Sequence, residues 1–345
     1  MLAGAAGRRA EVFFCTILRY VFPVALFTRS RARNVAWEFG VGVDFVVFSK
    51  NRACQLDLLL QSADAMLDER DAHSFTVLYK ADDPEFEAGY RLASSRHAGV
   101  TFLGDSKDSD VNEQMLDVFS AGSGKYCSIL VDDDLFVRTI SMTDGPFRVL
   151  DRDASVSAIS TRLHPKIDFC HPLGLKVAPS RVNRNGVFSW EEERDTLSAA
   201  LRRVFGQPAR GGGDWGCKMS MDGNIYRRQD MLGCLGGISG VRSVGYLEPA
   251  LASNPIPGPN GVCYRSARLV NVPLNRVDNS EFNYPSMGES AAMINARYLA
   301  GECIEGFDFP AVPAFRSCHV EANPVWTRAA SGSRRPRPEL EIARA

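Results

Sequence analysis

At 345 residues, with 45% hydrophobic and 23% charged content, the chain has the composition of a globular protein and room for one large α/β domain or two small ones. A formal net charge of −1 removes the electrostatic footprint of a nucleic-acid-binding protein. Its nine cysteines are scattered and never spaced as Cys-x-x-Cys, which argues against a zinc ribbon or a dense disulfide framework and for mostly reduced, buried thiols.

Residues 1–34 stand apart, with Arg8, Arg9, Arg19, Arg29, Arg31 and Arg33 against Glu11 as the one acid. An apolar stretch at 12–27 is broken by Arg19 and Pro23, and it falls short of the ~20 apolar residues of a spanning helix. A poor signal anchor, an Arg-rich transit segment, a peripheral amphipathic helix touching a membrane through 12–28, and a helix packed on the domain all fit. A cytoplasmic or membrane-associated setting is favoured over secretion. Residues 1–40 are therefore set aside from a domain at 41–326, with a nucleotide-binding half at 41–137 and an acceptor-side half at 138–326. An Arg/Pro/Ser-rich tail from 327 to 345 is expected to be disordered.

A first strand at 44–48 ends in Ser49-Lys50-Asn51-Arg52. Leu56, Leu59, Leu60, Ala63, Met66 and Leu67 then fall on one side of a helix over 55–68. A second strand at 75–79 leads into Lys80, Asp82 and Asp83, with Pro84 opening a helix over 85–94. A short strand at 100–103 and a helix at 112–121 lead through Gly122 and Gly124 to a strand at 128–131. The alternation predicts a parallel sheet wound by right-handed crossovers.

That last strand runs straight into Asp132, Asp133 and Asp134 before apolar sequence resumes at Leu135-Phe136-Val137. A short apolar run rich in β-branched residues suits a buried parallel strand, and ligands of open α/β sheets bind beyond the carboxyl ends of such strands. Three adjacent carboxylates repel one another, and a hard divalent cation, Mg²⁺ or Mn²⁺, relieves that repulsion. A solvated acidic turn is the plainer alternative, which the flanking Ile-Leu-Val and Leu-Phe-Val disfavour.

The second half is less regular. A strand is expected at 156–160, loops over 162–190, a helix from Trp190 to about 204, and a turn at Met221-Asp222-Gly223-Asn224 between two strands. Ser286 with Glu289 forms a capping-box pattern for a helix that Gly301 closes.

Several of these pieces occur together in one order: Ser49-Lys50-Asn51-Arg52, Asp132-Asp133-Asp134, Leu-Asn-Arg-Val at 274–277, Arg297-Tyr298-Leu299-Ala300-Gly301, and the late His319. In this the chain resembles nucleotide-sugar-dependent glycosyltransferases of the GT-A type over about residues 43–326, and family-2-like, poorly characterised members most of all. The resemblance implies an α/β fold with a GT-A-like (Rossmann-like), mostly parallel central sheet flanked by helices, and a less regular acceptor-side half. It implies transfer of a hexose from a UDP- or GDP-type sugar donor to the hydroxyl of an unidentified acceptor glycan or small molecule. Mn²⁺ or Mg²⁺ would sit between the acidic motif and the donor diphosphate. Asp132 and Asp134 are the implied metal residues, with Asp132 or Asp133 facing the nucleotide and His319 completing the metal shell. Ser49, Lys50, Asn51, Arg52 and Lys80 are the implied donor-binding residues, although each also reads as an ordinary polar turn residue.

An inverting transfer needs a carboxylate base beside the acceptor hydroxyl, for which Asp214, Asp222 and Glu248 are candidates; a retaining one needs none of them. Trp190, Trp215 and Trp326 are candidate sugar platforms. Two other classes stay open. One is a sugar-phosphate nucleotidyltransferase, disfavoured because residues 49–54 lack a phosphate-cradling glycine; the other is a non-catalytic carbohydrate-binding or scaffold protein.

Overall fold

The computed structural model describes residues 40–104, 110–190, 212–275, 289–309 and 315–328. The chain divides after Glu38, and all the described residues belong to the unit from Phe39 to Ala345. The expectations for residues 1–34, for the helix beyond Trp190, for Ser286 and for Arg276-Val277 lie outside the described residues. Among those residues no helix is long and apolar enough to cross a membrane.

Strict side-chain alternation builds the centre of the unit. In β1 (Gly40–Lys50), Val43, Phe45 and Val47 enter one apolar cluster, while Val46 and Phe48 enter another. In β4 (Gly124–Val131), Tyr126 and Leu130 join the first cluster, Cys127 and Ile129 the second. A sheet whose two faces both carry large apolar side chains must be covered on both sides. Here α1 (Ala53–Met66) and α2 (Pro84–Arg96) serve one face, and α3 (Val111–Ala121) the other.

The first helices follow from local signals. Asp83 caps α2 by accepting bonds from the Glu85 and Phe86 amides, with Pro84 in the first turn. Asp110 caps α3 through the Asn112 amide. β2 (Ser74–Lys80) precedes α2, and β3 (Thr101–Gly104) lies between α2 and α3.

After β4 come β5 (Asp134–Phe136), α4 (Gly145–Arg152), β6 (Val156–Ser160), the two-residue strands β7 (Phe169–Cys170) and β8 (Leu175–Lys176), and β9 (Val187–Ser189). The second half continues with β10 (Ile225–Arg227), α5 (Arg228–Leu235), α6 (Val244–Ser253), β11 (Asn260–Cys263) and β12 (Leu269–Asn271). The last described elements are α7 (Ala291–Leu299), β13 (Glu302–Asp308) and β14 (Asn323–Arg328).

Eight strands form the central sheet in the order β3-β2-β1-β4-β10-β6-β11-β9. β10 pairs antiparallel with β4 and β6, and β9 with β11; the remaining pairings are parallel. This is the mostly parallel α/β sheet that the alternation of strands and helices predicts.

Three local expectations change. The turn at 221–224 precedes β10, but no described strand leads into it. Instead Asn224 and Tyr226 donate to the carbonyls of Cys217, Lys218 and Ser220, so side chains satisfy the backbone that a ladder would otherwise serve. The late helix is capped by Ser290, whose hydroxyl accepts from the Met293 amide, and Gly301 closes it at φ 87°. Thr327 and Arg328, expected in the tail, are the last residues of β14.

Gly223 locks the 221–224 turn against the sheet. Its amide donates to the Ile129 carbonyl at 2.8 Å, its carbonyl accepts from Thr161 Oγ1 at 2.9 Å, and its φ is 80°. A Cβ there would lie 2.3 Å from Leu269 Cδ2. Gly223→Ala is therefore expected to lower stability by about 1–3 kcal/mol in urea unfolding, from positive φ and overpacking together.

Candidate active site

The strand order reverses at β1. The chain steps from β1 to β2 and β3 on one side, then returns to place β4 on the other. Such a switch opens a crevice between the carboxyl ends of the two strands. Here the residues at those ends are Ser49 to Arg52 from β1 and Asp132 to Asp134 from β4.

Asp132 is buried and fully occupied. One oxygen accepts from Ser49 Oγ at 2.9 Å and from the Lys50 amide at 3.1 Å; the other accepts from Arg52 Nη1 at 2.9 Å. The Arg52 amide donates to Tyr90 Oη, which lies 2.7 Å from Ser49 Oγ. Because Ser49 spends its proton on Asp132, Tyr90 donates to Ser49, and a directed chain of bonds runs from the Arg52 amide to the carboxylate. Burial raises the Asp132 carboxyl to about 6, against the lowering effect of Arg52.

Arg52 is turned inward. Nη1 also reaches Asp133 at 3.0 Å, Nε donates to Asn275 Oδ1 at 2.8 Å, and Nη2 donates to the Asn275 carbonyl. Asp132 and Asp133 outweigh the cost of burial and hold the guanidinium firmly charged. Asn51 braces the neighbouring loop in a left-handed conformation, φ 57°. It exchanges two bonds with Asp82, donating to the carboxylate at 2.8 Å and accepting from the Asp82 amide at 2.9 Å. The Lys50 ammonium lies at the mouth of this arrangement, 3.3 Å from Asp82 with its side chain 40% exposed, and Lys80 is exposed at the end of β2.

The second part of the site comes from far along the chain. β12 pairs antiparallel with β5, setting Asn271 opposite Asp134, and on its other side Asn271 forms a parallel bridge with His319. Residues paired across strands project to the same face, so Asp134, Asn271 and His319 make one rung. Asn271 Nδ2 donates to Asp133 at 2.8 Å and to Asp134 at 3.3 Å. Burial, then the nearby charge of Asp222, pushes the Asp134 carboxyl well above its ordinary value. Burial pushes the His319 imidazole down to about 4, so it is neutral at pH 7, and its buried Nδ1 has no hydrogen-bond partner. A neutral imidazole beside two carboxylates is chemically suited to a divalent cation. Among the described residues, however, no three such side chains converge closely enough to hold one by themselves.

The three candidate bases gather around one buried cation, Arg162. Its Nη1 lies 2.8 Å from Asp222, its Nη2 donates to Ser220, and the charges of Asp214 and Asp134 act on it as well. Asp214 is buried in a 3-10 turn at Gly213–Gly216. Glu248, half-buried on α6, is raised to about 7 by burial first and then by Asp222, with Arg162 opposing. A carboxylate poised near neutrality can accept a proton at pH 7.

Reading residues one at a time gives no role to Arg162, Asn271 or Asn275. The available signals are a charge right after the apolar strand at 156–160, and polar Asn271 and Asn275 within the Leu-Val-Asn-Val-Pro-Leu-Asn run. Two of the tryptophans are core residues: Trp190 Nε1 donates to Ser157 and Trp215 Nε1 to the Ile167 carbonyl, with both rings buried. Arg297 covers the Trp326 ring at 3.5 Å. Neither His164, buried and lowered to about 4, nor His171, which pairs with Glu321 at 2.8 Å, belongs to the rung.

No family model and no curated protein sequence matches the chain. Among solved structures it is similar to a mannosyltransferase from Pyrobaculum calidifontis in complex with GDP-Man and Mn²⁺, at 14% identity and a TM-score of 0.43, covering 72% of this chain and 62% of that one. It is also similar to a CMP:2-keto-3-deoxy-manno-octonic acid synthetase complexed with CTP, at 11% identity and a TM-score of 0.35, covering 65% and 90%. A third is the glucosyl-3-phosphoglycerate synthase of Mycobacterium tuberculosis in complex with Mn²⁺, UDP and phosphoglyceric acid, at 12% identity and a TM-score of 0.31, covering 55% and 57%. The chain thus spans less than two thirds of the mannosyltransferase, and likenesses at this level say nothing of donor, metal or acceptor.

Proposed function

We propose that this chain is a metal-dependent glycosyltransferase that moves a sugar from a nucleoside-diphosphate donor to an acceptor hydroxyl. The observation that carries the reading is the convergence, at the β1/β4 switch, of the acidic run with the Asp134–Asn271–His319 rung. A Mg²⁺ or Mn²⁺ ion commonly uses one or two protein carboxylates and takes its remaining ligands from substrate phosphates and water. Asp133, Asp134 and His319 fit such an ion in kind, and a set too small to hold it alone fits an ion that arrives with the donor. When bound, the cation would neutralise charge on the leaving diphosphate.

The chain's own residues then divide the remaining work. Asp132, already spent on Ser49, Lys50 and Arg52, shapes the crevice rather than binding the ion. Arg52 offsets the negative charge of Asp132 and Asp133, Lys50 faces the diphosphate, and Asn51 fixes the loop that carries it. Glu248 takes the proton of the acceptor hydroxyl, since Asp222 is tied to Arg162 and Asp214 is more deeply buried.

Release of nucleoside diphosphate from UDP- and GDP-sugars, assayed with Mn²⁺ and with chelator, tests this reading. We expect metal-dependent release from one base class. Pyrophosphate formed from nucleoside triphosphate and a sugar 1-phosphate would assign the chain to the nucleotidyltransferases instead.

A further inference from the structure

A cleft of about 400 Å³ opens beside His319, a size typical of small-molecule sites, roughly 300–1,000 Å³. Phe169 and Phe315 give it aromatic walls, and Val320 adds an apolar one. The charges in its lining balance, with Asp168 and Glu321 against Arg316 and Lys176. Arg316 grips Asp168 with a two-pronged contact, Nε donating at 2.8 Å and Nη2 to the second oxygen. His171 Nε2 lies 2.8 Å from Glu321. Lys176 is the other cation, and it acts on the same Asp168.

We infer that this cleft is the acceptor subsite, and that it takes a neutral, polyhydroxylated ring of monosaccharide size. The inference rests on the transferase reading and adds the acceptor's chemical class and entry. A site for a phosphate or carboxylate would present an excess of positive charge, whereas here Arg316 and Lys176 are offset by Asp168 and Glu321 in the same lining. A purely apolar ligand would leave four charged side chains without a purpose. A sugar ring matches both features: its C–H face lies against phenylalanine, and its hydroxyls exchange bonds with carboxylates and imidazole.

The position suits transfer as well. His319 is shared between the cleft lining and the rung that includes Asp134, and its ring lies 6.3 Å from that of His171. A ring seated in the cleft therefore shares His319 with that rung, and Asp214, the strongest electrostatic neighbour of His319, also acts on Glu248.

Saturation-transfer NMR on the full chain tests this without any donor. The probes are methyl α- and β-hexopyranosides, with glycerol 3-phosphate as the anionic comparator. We expect saturation of the hexopyranosides, and about a fivefold loss of affinity in Phe169→Ala, the scale of one lost ring contact. Glu321→Gln, a change at an exposed side chain that spares the core, should weaken the same signal. Stronger saturation of glycerol 3-phosphate, no saturation of the hexopyranosides, or equal binding to wild type and both variants would overturn the inference. Hexopyranoside binding in a protein that binds no nucleotide would remove the transferase reading and leave a carbohydrate site.

Discussion

Arg52→Ala should cost about 3–5 kcal/mol of folding stability, the usual penalty for leaving a buried charge without its partner. Asp132 and the guanidinium are almost wholly buried, at 4% and 8% side-chain exposure, so solvent cannot take over the lost charge. The variant also strands Asn275 Oδ1 and the Asn275 carbonyl, both satisfied by Arg52. Urea unfolding checks the loss, and the double variant Arg52→Ala, Asp132→Asn should recover a large part of it, because the amide removes the orphaned charge. Arg52→Lys should recover little, since an ammonium cannot serve two carboxylates and Asn275 with one planar fork. A single variant as stable as wild type would show that Arg52 is not the internal counter-ion of the site.

Glu248→Gln should lower kcat by about 10²–10⁴, the contribution of a positioned general base, and leave nucleotide affinity unchanged. The groups facing Glu248 are Asp222, Arg162 and Asp214. The wild-type rate should rise as pH passes through about 7 and the carboxyl loses its proton, and the variant should lose that rise. The stability effect has the opposite sense. The Glu248 carboxyl is raised on folding, so its contribution is full below the ordinary glutamate range and lost as pH climbs through about 7. Glu248→Gln should therefore be more stable than wild type at pH 8 in the absence of ligands, a gain that thermal melting detects. Reduced activity with no change in the pH profile would indicate that Glu248 supports the site without handling the proton.

The part of the sheet that ends at the β1/β4 crevice was legible because its signals are local. Alternating residues such as Phe45 and Val46 sort themselves to opposite faces, Asp83 with Pro84 marks a helix start, and three aspartates close an apolar strand. The sequence also shows Glu248, Asp222 and His319 as chemically able groups. It does not show their arrangement, because the rung that joins Asp134 to His319 needs β5 and β12 to come together across more than a hundred residues, with the 318–320 segment beside them. Arg52 illustrates the same limit: in sequence it is one of two cations in the polar loop after the first strand, and its inward turn depends on Asn275. The pattern before β10 predicts a strand where the chain is irregular, because Asn224 and Tyr226 satisfy that backbone with side chains, a substitution that periodicity does not reveal.

On the proposed function, the acidic run and His319 hold a nucleoside diphosphate through a divalent cation. Calorimetric titration of UDP and of GDP, with and without Mn²⁺, on wild type and Asp134→Ala measures this directly. One nucleotide should bind only when Mn²⁺ is present, and Asp134→Ala should abolish the heat while retaining a cooperative unfolding transition. Binding that is indifferent to Mn²⁺ and to residue 134, or no binding of either nucleotide under any condition, would contradict it.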